Sequence, residues 1–178
     1  RFYRTTLAAL AVFALSGALL VGQGGAVAPP ASPTTAVTKE TVPGVTNFVR
    51  LQTTIACAGA TTAAAVPELK KMGYASVINL RQASEPGADI EGETAAAKAV
   101  GLTFLHLPFN AAAPDPAVVD QFLKAITDKK NEPAFVHCAS GNRAAAFWMI
   151  KRMAVDRWDA DRAANEAAAP GLTNPALK

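Results

Sequence analysis

The chain has 178 residues, about half of them apolar, and only two cysteines, so it is long enough for one domain with appendages and is not a disulfide scaffold. Its 17 basic and 14 acidic residues give a formal net charge of +3. No basic stripe with interleaved aromatic residues is present, which argues against nucleic-acid binding.

The first 28 residues have the pattern of an export signal. Arg1 and Arg4 precede an apolar run over residues 7–21, and an Ala-Val-Ala cleavage pattern ends at Ala28. The run has 15 residues, fewer than the roughly 20 that a spanning helix needs. We therefore expect a cleaved signal and a periplasmic or secreted protein, with an uncleaved anchor over residues 7–21 as the alternative. Without Arg1 and Arg4 the net charge falls to +1.

Residues 29–43 are rich in Pro, Thr, Ser and Ala, which predicts a flexible linker, and the folded domain is predicted over residues 44–178. Within it, segments of strand and helix composition alternate. The predicted strands cover residues 45–51, 53–59, 76–80, 103–109 and 134–136, and the predicted helices residues 61–72, 91–100, 116–129, 143–153 and 159–169. This alternation predicts an α/β fold of three layers, a mostly parallel sheet flanked by helices.

The most informative stretch is the heptapeptide of residues 137–143, His-Cys-Ala-Ser-Gly-Asn-Arg. It lies between a buried strand and a helix start, where free N–H groups and the helix dipole favour a thiolate and can hold an anion. We interpret Cys138 as a nucleophile and Arg143, with its planar guanidinium, as an oxyanion clamp. The alternative is that Cys138 is a small buried apolar residue. The anion-binding backbone would be that of Ala139, Ser140, Gly141 and Asn142.

Three segments carry a resemblance to a known family: residues 77–81 (VINLR), 104–109 (FLHLPF) and 135–143 (FVHCASGNR). They resemble the phosphatase-like domain of beta-lactamase hydrolase-like proteins, over about residues 44–172. The resemblance implies a cysteine-phosphatase-like fold. Family members are described as phosphatase-like or as sulfur transferases, so the resemblance is compatible with either reaction.

Two features depart from classical cysteine phosphatases. Only four residues separate Cys138 from Arg143, where those enzymes have five, and Ala144 stands where many have Ser or Thr. The shorter spacing is typical of rhodanese-type loops, whose smaller cradle suits a transferable sulfur.

Other charged residues are predicted on loops at the same edge of the sheet, where the carboxyl ends of parallel strands place ligand sites. Asp115, before Pro116, is either the general acid that protonates a leaving oxygen or only the cap of the next helix. Glu85 is a competing acid or a solvated loop charge. Arg81 either adds positive charge for substrate binding or pairs with Glu85.

The remaining histidines and cysteine have less specific patterns. His137 is interpreted as a supporting residue: in loops of this type such a histidine lies behind the cysteine, bonds to backbone and helps to keep the thiolate stable. A general base is the alternative. His106 is expected to be a satisfied core or edge histidine. Cys57 either forms a disulfide with Cys138 or is buried and inert. These spacings do not form a zinc motif, and no metal or cofactor is expected.

Together these patterns favour a cysteine-dependent hydrolase of phosphoesters. A rhodanese-like sulfurtransferase acting through a Cys138 persulfide is the first alternative, and a non-catalytic anion-binding or redox-sensing module is the second. The expected partner is a small anionic substrate or a phosphorylated protein. We expect no nucleic-acid partner and membrane contact only through an uncleaved signal, and the pattern does not specify an oligomeric state.

Overall fold

The computed structural model describes residues 37–174 and Leu177. The predicted signal peptide of residues 1–28 and most of the predicted linker lie outside these residues. In chain order the elements are β1 (Thr38–Val42), β2 (Val45–Gln52), β3 (Ile55–Ala58), α1 (Val66–Lys71), β4 (Ser76–Asn79), α2 (Ile90–Val100), β5 (Thr103–His106), α3 (Pro116–Thr127), β6 (Ala134–His137), α4 (Asn142–Ala154) and α5 (Ala160–Ala168). Short 3-10 turns over Ala63–Ala65 and Lys129–Asn131 precede α1 and β6.

The strands form one six-stranded sheet with the order β1-β2-β3-β6-β4-β5. Strands β3, β6, β4 and β5 are parallel, whereas β2 is antiparallel to both of its neighbours. The α/β fold and the mostly parallel sheet are therefore confirmed. Strand β6 is central and fully buried, and His137 pairs in register with Ala58 on one side and Asn79 on the other. The ends of three strands thus meet where the heptapeptide begins.

Side chains of the sheet alternate between two apolar cores. The core that includes residues of α3 and α4 contains Cys57, Val136 and Cys138. The core that includes residues of α1 and α2 contains Phe135 and Ala58. Because successive strand residues point to opposite faces, Cys138 and His137 lie on opposite sides of the sheet. Helix α5 packs on α4, outside the first core.

The predicted linker is wrong at its C-terminal end, because Thr38–Val42 forms strand β1 and pairs with β2. Its sequence, TKETV, has the polar composition of an exposed edge strand, and Glu40 forms a 2.8 Å ion pair with Arg50 of β2. Charged residues are common on such edges and hide the strand pattern.

Three predicted boundaries also change. The strand predicted over residues 103–109 ends at His106, and Pro108, two residues later, has no N–H to donate to a ladder. The helix predicted over residues 61–72 begins with a 3-10 turn, and the side chain of Thr62 makes no cap hydrogen bond. The helix predicted to reach residue 129 ends at Thr127. Among the described residues, none of the helices has the length and apolar character needed to cross a membrane.

Candidate active site

The cysteine loop, residues 138–141, connects the end of β6 to the start of α4. Cys138 is buried, and its Sγ accepts a hydrogen bond from the N–H of Gly141 at 3.2 Å. Gly141 precedes the first helical residue, and no side chain caps this helix end. The N–H groups of the first turn of α4 are therefore available to an anion beside Sγ.

Contacts from distant parts of the chain hold the cysteine loop. The carbonyl of Ala139 accepts from the N–H of Ala60 at 2.9 Å. Gly141 has φ of 101°, and a Cβ there would lie 2.3 Å from the carbonyl oxygen of Pro170 and 2.9 Å from Nδ2 of Asn47. Asn47 in turn donates to that Pro170 carbonyl at 2.7 Å. Glycine is required at position 141 both for its backbone conformation and for this close approach.

Asn142 ties the loop to the C-terminal segment of the domain. Its Oδ1 accepts from the N–H groups of Thr173 and Asn174, both at 3.0 Å. The predicted anion-binding group at position 142 is the backbone N–H. The Asn142 side chain has a different role, because it holds the C-terminal segment.

The guanidinium of Arg143 is held by three groups. Nη1 donates to the carbonyls of Leu80 and Phe109, each at 3.0 Å, and to Oε1 of Glu85 at 2.5 Å. Nη2 donates to Oε2 of Glu85 at 2.6 Å. None of these bonds uses Nε, and the guanidinium also interacts with Cys138. The edge formed by Nε and Nη2 is thus the one left for a bidentate anion.

Glu85 is the counter-ion of Arg143. One of its oxygens also accepts from the N–H of Gln82 at 2.8 Å. Burial raises the pKa of the Glu85 carboxyl, but the hydrogen bonds from Arg143 and Gln82, with the nearby positive charges, outweigh burial and hold that pKa below its ordinary value. Both oxygens are bonded to Arg143, so the structure contradicts the alternative of a solvated loop charge, and the role of Glu85 as a competing acid stays a prediction.

Arg81 supports the loop that carries Glu85. Its side chain is 3% exposed and donates to the carbonyls of Pro86 and Gly87 at 2.6 and 2.9 Å. This contradicts direct substrate binding by Arg81. The predicted pairing with Glu85 is present, with Nε 3.5 Å from Oε2.

Asp115 and His106 occupy the positions expected of capping and edge residues. The Asp115 carboxylate accepts from the N–H of Ala117 at 2.9 Å, so the predicted helix cap is confirmed, and its role as an acid stays a prediction. His106 lies on the edge strand β5 with Nε2 2.8 Å from the carbonyl of Arg81, as expected for a satisfied histidine.

Cys57 and Cys138 lie in the same core, and both are free thiols. The Cys57 Sγ is 3.7 Å from the carbonyl of Ala144, and burial raises the pKa of the Cys57 thiol, with the nearby Cys138 adding to the effect. Cys57 is therefore held as a neutral thiol, and its pairing with Cys138 stays a prediction.

His137 lies behind the site, on the face of the sheet opposite Cys138. It is fully buried and stacks on Phe135, with ring centroids 5.7 Å apart. Its Nε2 is 2.9 Å from Oε2 of Glu93, and within the described residues neither ring nitrogen has a hydrogen-bond partner. The predicted bond from this ring to backbone is therefore wrong.

Glu93 was not among the predicted site residues. It is fully buried on α2, and its Oε2 accepts from Nδ2 of Asn79 at 3.1 Å. The sequence does carry a signal for it: Glu93 shares one helical stripe with Ala97 and Val100, so it places a carboxylate where the helix faces the core.

Two adjoining cavities open at this edge of the sheet. The anion cavity, of about 300 Å³, is lined by Gln82, Glu85, Phe109, Ala111, Ser140, Asn142, Arg143, Asn174 and Leu177. The apolar cavity, of about 430 Å³, is lined by Phe109, Pro114, Asp115, Pro116, Val119, Asp120, Ala146, Phe147, Ile150 and Leu177. They share Phe109 and Leu177. No cluster of His, Cys, Asp and Glu in the described part of the chain could hold a metal ion.

A parallel-centred sheet whose middle strand leads through a cysteine loop into a helix, with an arginine in the first turn, defines a cysteine-phosphatase-like domain. The sequence model of the family "Beta-lactamase hydrolase-like protein, phosphatase-like domain" matches residues 47–155. The chain belongs to this family, which confirms the resemblance found in its sequence.

The fold is similar to those of solved phosphatases. TpbA from P. aeruginosa is 23% identical, with a TM-score of 0.62 over 81% of this chain and 85% of that chain. A Cys→Ser variant of TpbA in complex with pTyr is 22% identical, with a TM-score of 0.61 over 79% and 82%. The core catalytic domain of the PP-IP phosphatase SIW14 from S. cerevisiae, in complex with citrate, is 14% identical, with a TM-score of 0.60 over 77% and 84%. At these identities the likeness shows the fold. No curated protein matches the chain in sequence.

Proposed function

We propose that the chain is a phosphatase that cleaves organic phosphoesters through a covalent intermediate on Cys138. One observation carries the proposal: the Cys138 Sγ accepts from the Gly141 N–H beside an uncapped helix start and within reach of Arg143. These groups favour a thiolate and can hold an oxyanion. The related structures, including TpbA bound to pTyr, support a phosphorylated substrate.

In the first proposed step, the Cys138 thiolate attacks phosphorus, and the phosphorus–sulfur bond forms as the bond to the leaving oxygen breaks. Loop N–H groups and the Nε edge of Arg143 stabilise the non-bridging oxygens. Asp115 donates its proton to the leaving oxygen. In the second step, water attacks phosphorus, returns a proton to Asp115, and releases phosphate and the thiolate.

The assignment of the acid to Asp115 is supported by elimination and position. Glu85 has both oxygens bonded to Arg143, so its carboxylate serves as the counter-ion of that residue. Asp115 lines the apolar cavity, which meets the anion cavity at Phe109. A phosphate held beside Arg143, with its organic group in the apolar cavity, would have its leaving oxygen near that junction.

The apolar cavity supports an organic substituent on the phosphate. Its walls include Val119, Phe147 and Ile150, and it has room for an aromatic or aliphatic group. We therefore propose an apolar phosphoester, such as an aryl phosphate, and place this reaction outside the cytoplasm on the strength of the predicted export signal.

A sulfurtransferase is the second candidate, and the four-residue spacing between Cys138 and Arg143 favours it. Ala144, fully buried, also lacks a hydroxyl that could assist departure of a phosphorylated thiolate. In this reaction the Cys138 thiolate takes one sulfur from thiosulfate and releases sulfite. The resulting persulfide passes its sulfur to an acceptor thiol. No general acid is needed, and Asp115 would serve only as a cap.

Two parallel assays on the full chain separate these reactions. One measures phosphate release from an aryl phosphate, and the other measures sulfite release from thiosulfate with an acceptor thiol. We expect phosphate release that is lost in Cys138→Ser and kept in Cys57→Ser, the matched control for a buried cysteine. Sulfite release with a one-sulfur mass gain on Cys138 would replace the phosphatase proposal with the sulfurtransferase. Absence of both products, with a Cys57–Cys138 disulfide, would contradict both reactions.

A further inference from the structure

A residue near the C-terminus, Leu177, is part of the wall of both cavities at the edge of the sheet. We propose that Leu177 is a specificity-determining residue that selects phosphoesters with an apolar group next to the phosphate, and that Asn142 is the positioning residue that holds it. The inference rests on the proposed function for the location of the phosphate, which it takes to be the anion cavity.

Leu177 and Phe109 form the junction between the two cavities, because each lines both of them. A substrate with its phosphate in the anion cavity and its organic group in the apolar cavity crosses this junction. The first atoms of the organic group therefore contact these two side chains. Both are apolar, so a polar group at this point would lose its hydration without gaining a hydrogen bond from them.

Phe109 is the half of the junction that the core of the domain fixes. Its ring packs edge-to-face on that of Phe147, with centroids 4.8 Å apart. Its N–H donates to the carbonyl of Leu80 at 3.2 Å, and its own carbonyl accepts from Arg143 at 3.0 Å. The arginine of the proposed phosphate site thus holds this half of the junction directly.

Leu177 is the half of the junction that the C-terminal segment carries. It is partly buried and packs against the core that contains Cys138 and against the cluster between α4 and α5. Its N–H donates to the carbonyl of Asn174 at 3.1 Å. The N–H groups of Asn174 and Thr173 in turn donate to Oδ1 of Asn142, both at 3.0 Å. The first residue of α4 therefore holds the backbone that carries Leu177.

The same segment contacts the cysteine loop at a second point. The carbonyl of Pro170 accepts from Nδ2 of Asn47 at 2.7 Å, and its oxygen is the atom that a Cβ at Gly141 would meet at 2.3 Å. Between the two points, Leu172 is buried in the cluster of α4 and α5. Because the segment contacts the loop twice, the position of Leu177 is coupled to the geometry of the anion site.

The substitution Leu177→Ala removes most of this apolar wall. Truncation of a partly buried leucine should weaken binding of an aryl group about 5- to 10-fold. Methyl phosphate has the same charge as phenyl phosphate but no group that fills the apolar cavity, so its binding should change little. Leu123→Ala is the matched control. Leu123 is also partly buried and packs against the same core, but it is not among the residues that line either cavity.

The experiment compares the binding of phenyl phosphate and methyl phosphate by calorimetry. It uses the full chain carrying Cys138→Ser, which the proposed mechanism leaves without turnover, and circular dichroism checks folding. We expect the ratio of Kd for methyl phosphate to Kd for phenyl phosphate to fall about 5- to 10-fold in Leu177→Ala and to be unchanged in Leu123→Ala. With Cys138 intact, Leu177→Ala should raise KM for phenyl phosphate more than it lowers kcat.

The positioning role of Asn142 is tested in the same assay. Asn142→Ala keeps the backbone N–H but removes the acceptor for the C-terminal segment, so it should lower the ratio by a similar factor. Adding Leu177→Ala to this variant should produce no further fall, because the two residues act as one unit. A second full fall in the double variant would show that Asn142 does not act through Leu177.

An unchanged ratio in folded Leu177→Ala overturns the inference, and so does an equal fall in Leu123→Ala. If Leu177→Ala does not fold, Asn142→Ala decides, because an unchanged ratio there separates the C-terminal segment from selectivity. Absence of binding by both phosphates also overturns the inference. The expected ratios in a chain whose wild type releases no phosphate would keep the selective junction and remove the proposed reaction.

Discussion

Replacing Glu85 with Gln should loosen the guanidinium of Arg143, whose fixed position the proposed mechanism requires. The Glu85 carboxylate accepts hydrogen bonds from Nη1 and Nη2 of Arg143 at 2.5 and 2.6 Å. It also accepts one from the Gln82 N–H at 2.8 Å. A glutamine keeps one acceptor oxygen and turns an NH₂ group toward donors. Each lost charge-assisted bond is worth about 1.5–3 kcal/mol, so we expect Glu85→Gln to lower the free energy of unfolding by about 2 kcal/mol at neutral pH. A mobile Arg143 should lower kcat/KM by about 10- to 100-fold.

The stability that the Glu85 carboxylate contributes should fall as the pH is lowered into the acid range. The pKa of Glu85 in the folded protein is held below the ordinary 4.5, so its charged form stabilises the fold. This contribution is present above pH 4.5 and is lost as the pH falls below that value toward the folded pKa. The stability difference between the wild type and Glu85→Gln should therefore be constant near neutral pH and shrink in acid.

Urea denaturation followed by tryptophan fluorescence, at several pH values, measures both effects. Glu68→Gln is the matched control, because Glu68 pairs with Lys71 at 3.0 Å but is 46% exposed, and its loss should cost less than about 1 kcal/mol. If Glu85→Gln is no less stable than Glu68→Gln at neutral pH, or if its loss of stability is undiminished in acid, the Glu85–Arg143 ion pair does not stabilise the fold as proposed.

Three further substitutions test the loop, the acid and the apolar cavity. Gly141→Ala should cost at least about 2 kcal/mol, because its Cβ would lie 2.3 Å from the Pro170 carbonyl oxygen. Gly101→Ala, also at a positive φ but with no atom within 4 Å, should cost about 1 kcal/mol, and equal losses in urea denaturation would refute the steric argument. Asp115→Asn removes the proposed acid and should slow aryl phosphate turnover about 100-fold, but it keeps the helix cap and should not lower stability. An unchanged rate would mean that Asp115 serves only as a cap. Val119→Asp should lower the ratio of kcat/KM for an aryl phosphate to that for a small alkyl phosphate, and an unchanged ratio removes the cavity from substrate binding.

The sequence predicted the parts of the site that are local. A buried strand, a cysteine and the start of a helix lie within ten residues, so periodicity and capping rules locate Cys138 and Arg143 without knowledge of tertiary contacts. The alternation of strands and helices likewise predicted the parallel centre of the sheet. The sequence did not predict strand β1, because its exposed residues have the polar composition of a linker.

The contacts that were missed join residues far apart in the chain. Glu85 meets Arg143 across 58 positions, and Asn47 meets Pro170 across 123. Sequence spacing places Glu85 on the correct loop but does not show which cation its carboxylate will meet. Glu93 lies on a helix that the sequence predicted well, yet its partner His137 is 44 positions away on another element.

The assignment of Cys138 as the nucleophile is tested by chemical quench of the full chain during turnover of an aryl phosphate, followed by peptide mass spectrometry. We expect a phosphoryl group on the peptide that contains Cys138, and neither phosphoryl group nor phosphate release in Cys138→Ser. Phosphate release that continues in Cys138→Ser, or turnover whose intermediate lies on another residue, would contradict the assignment of Cys138 as the nucleophile.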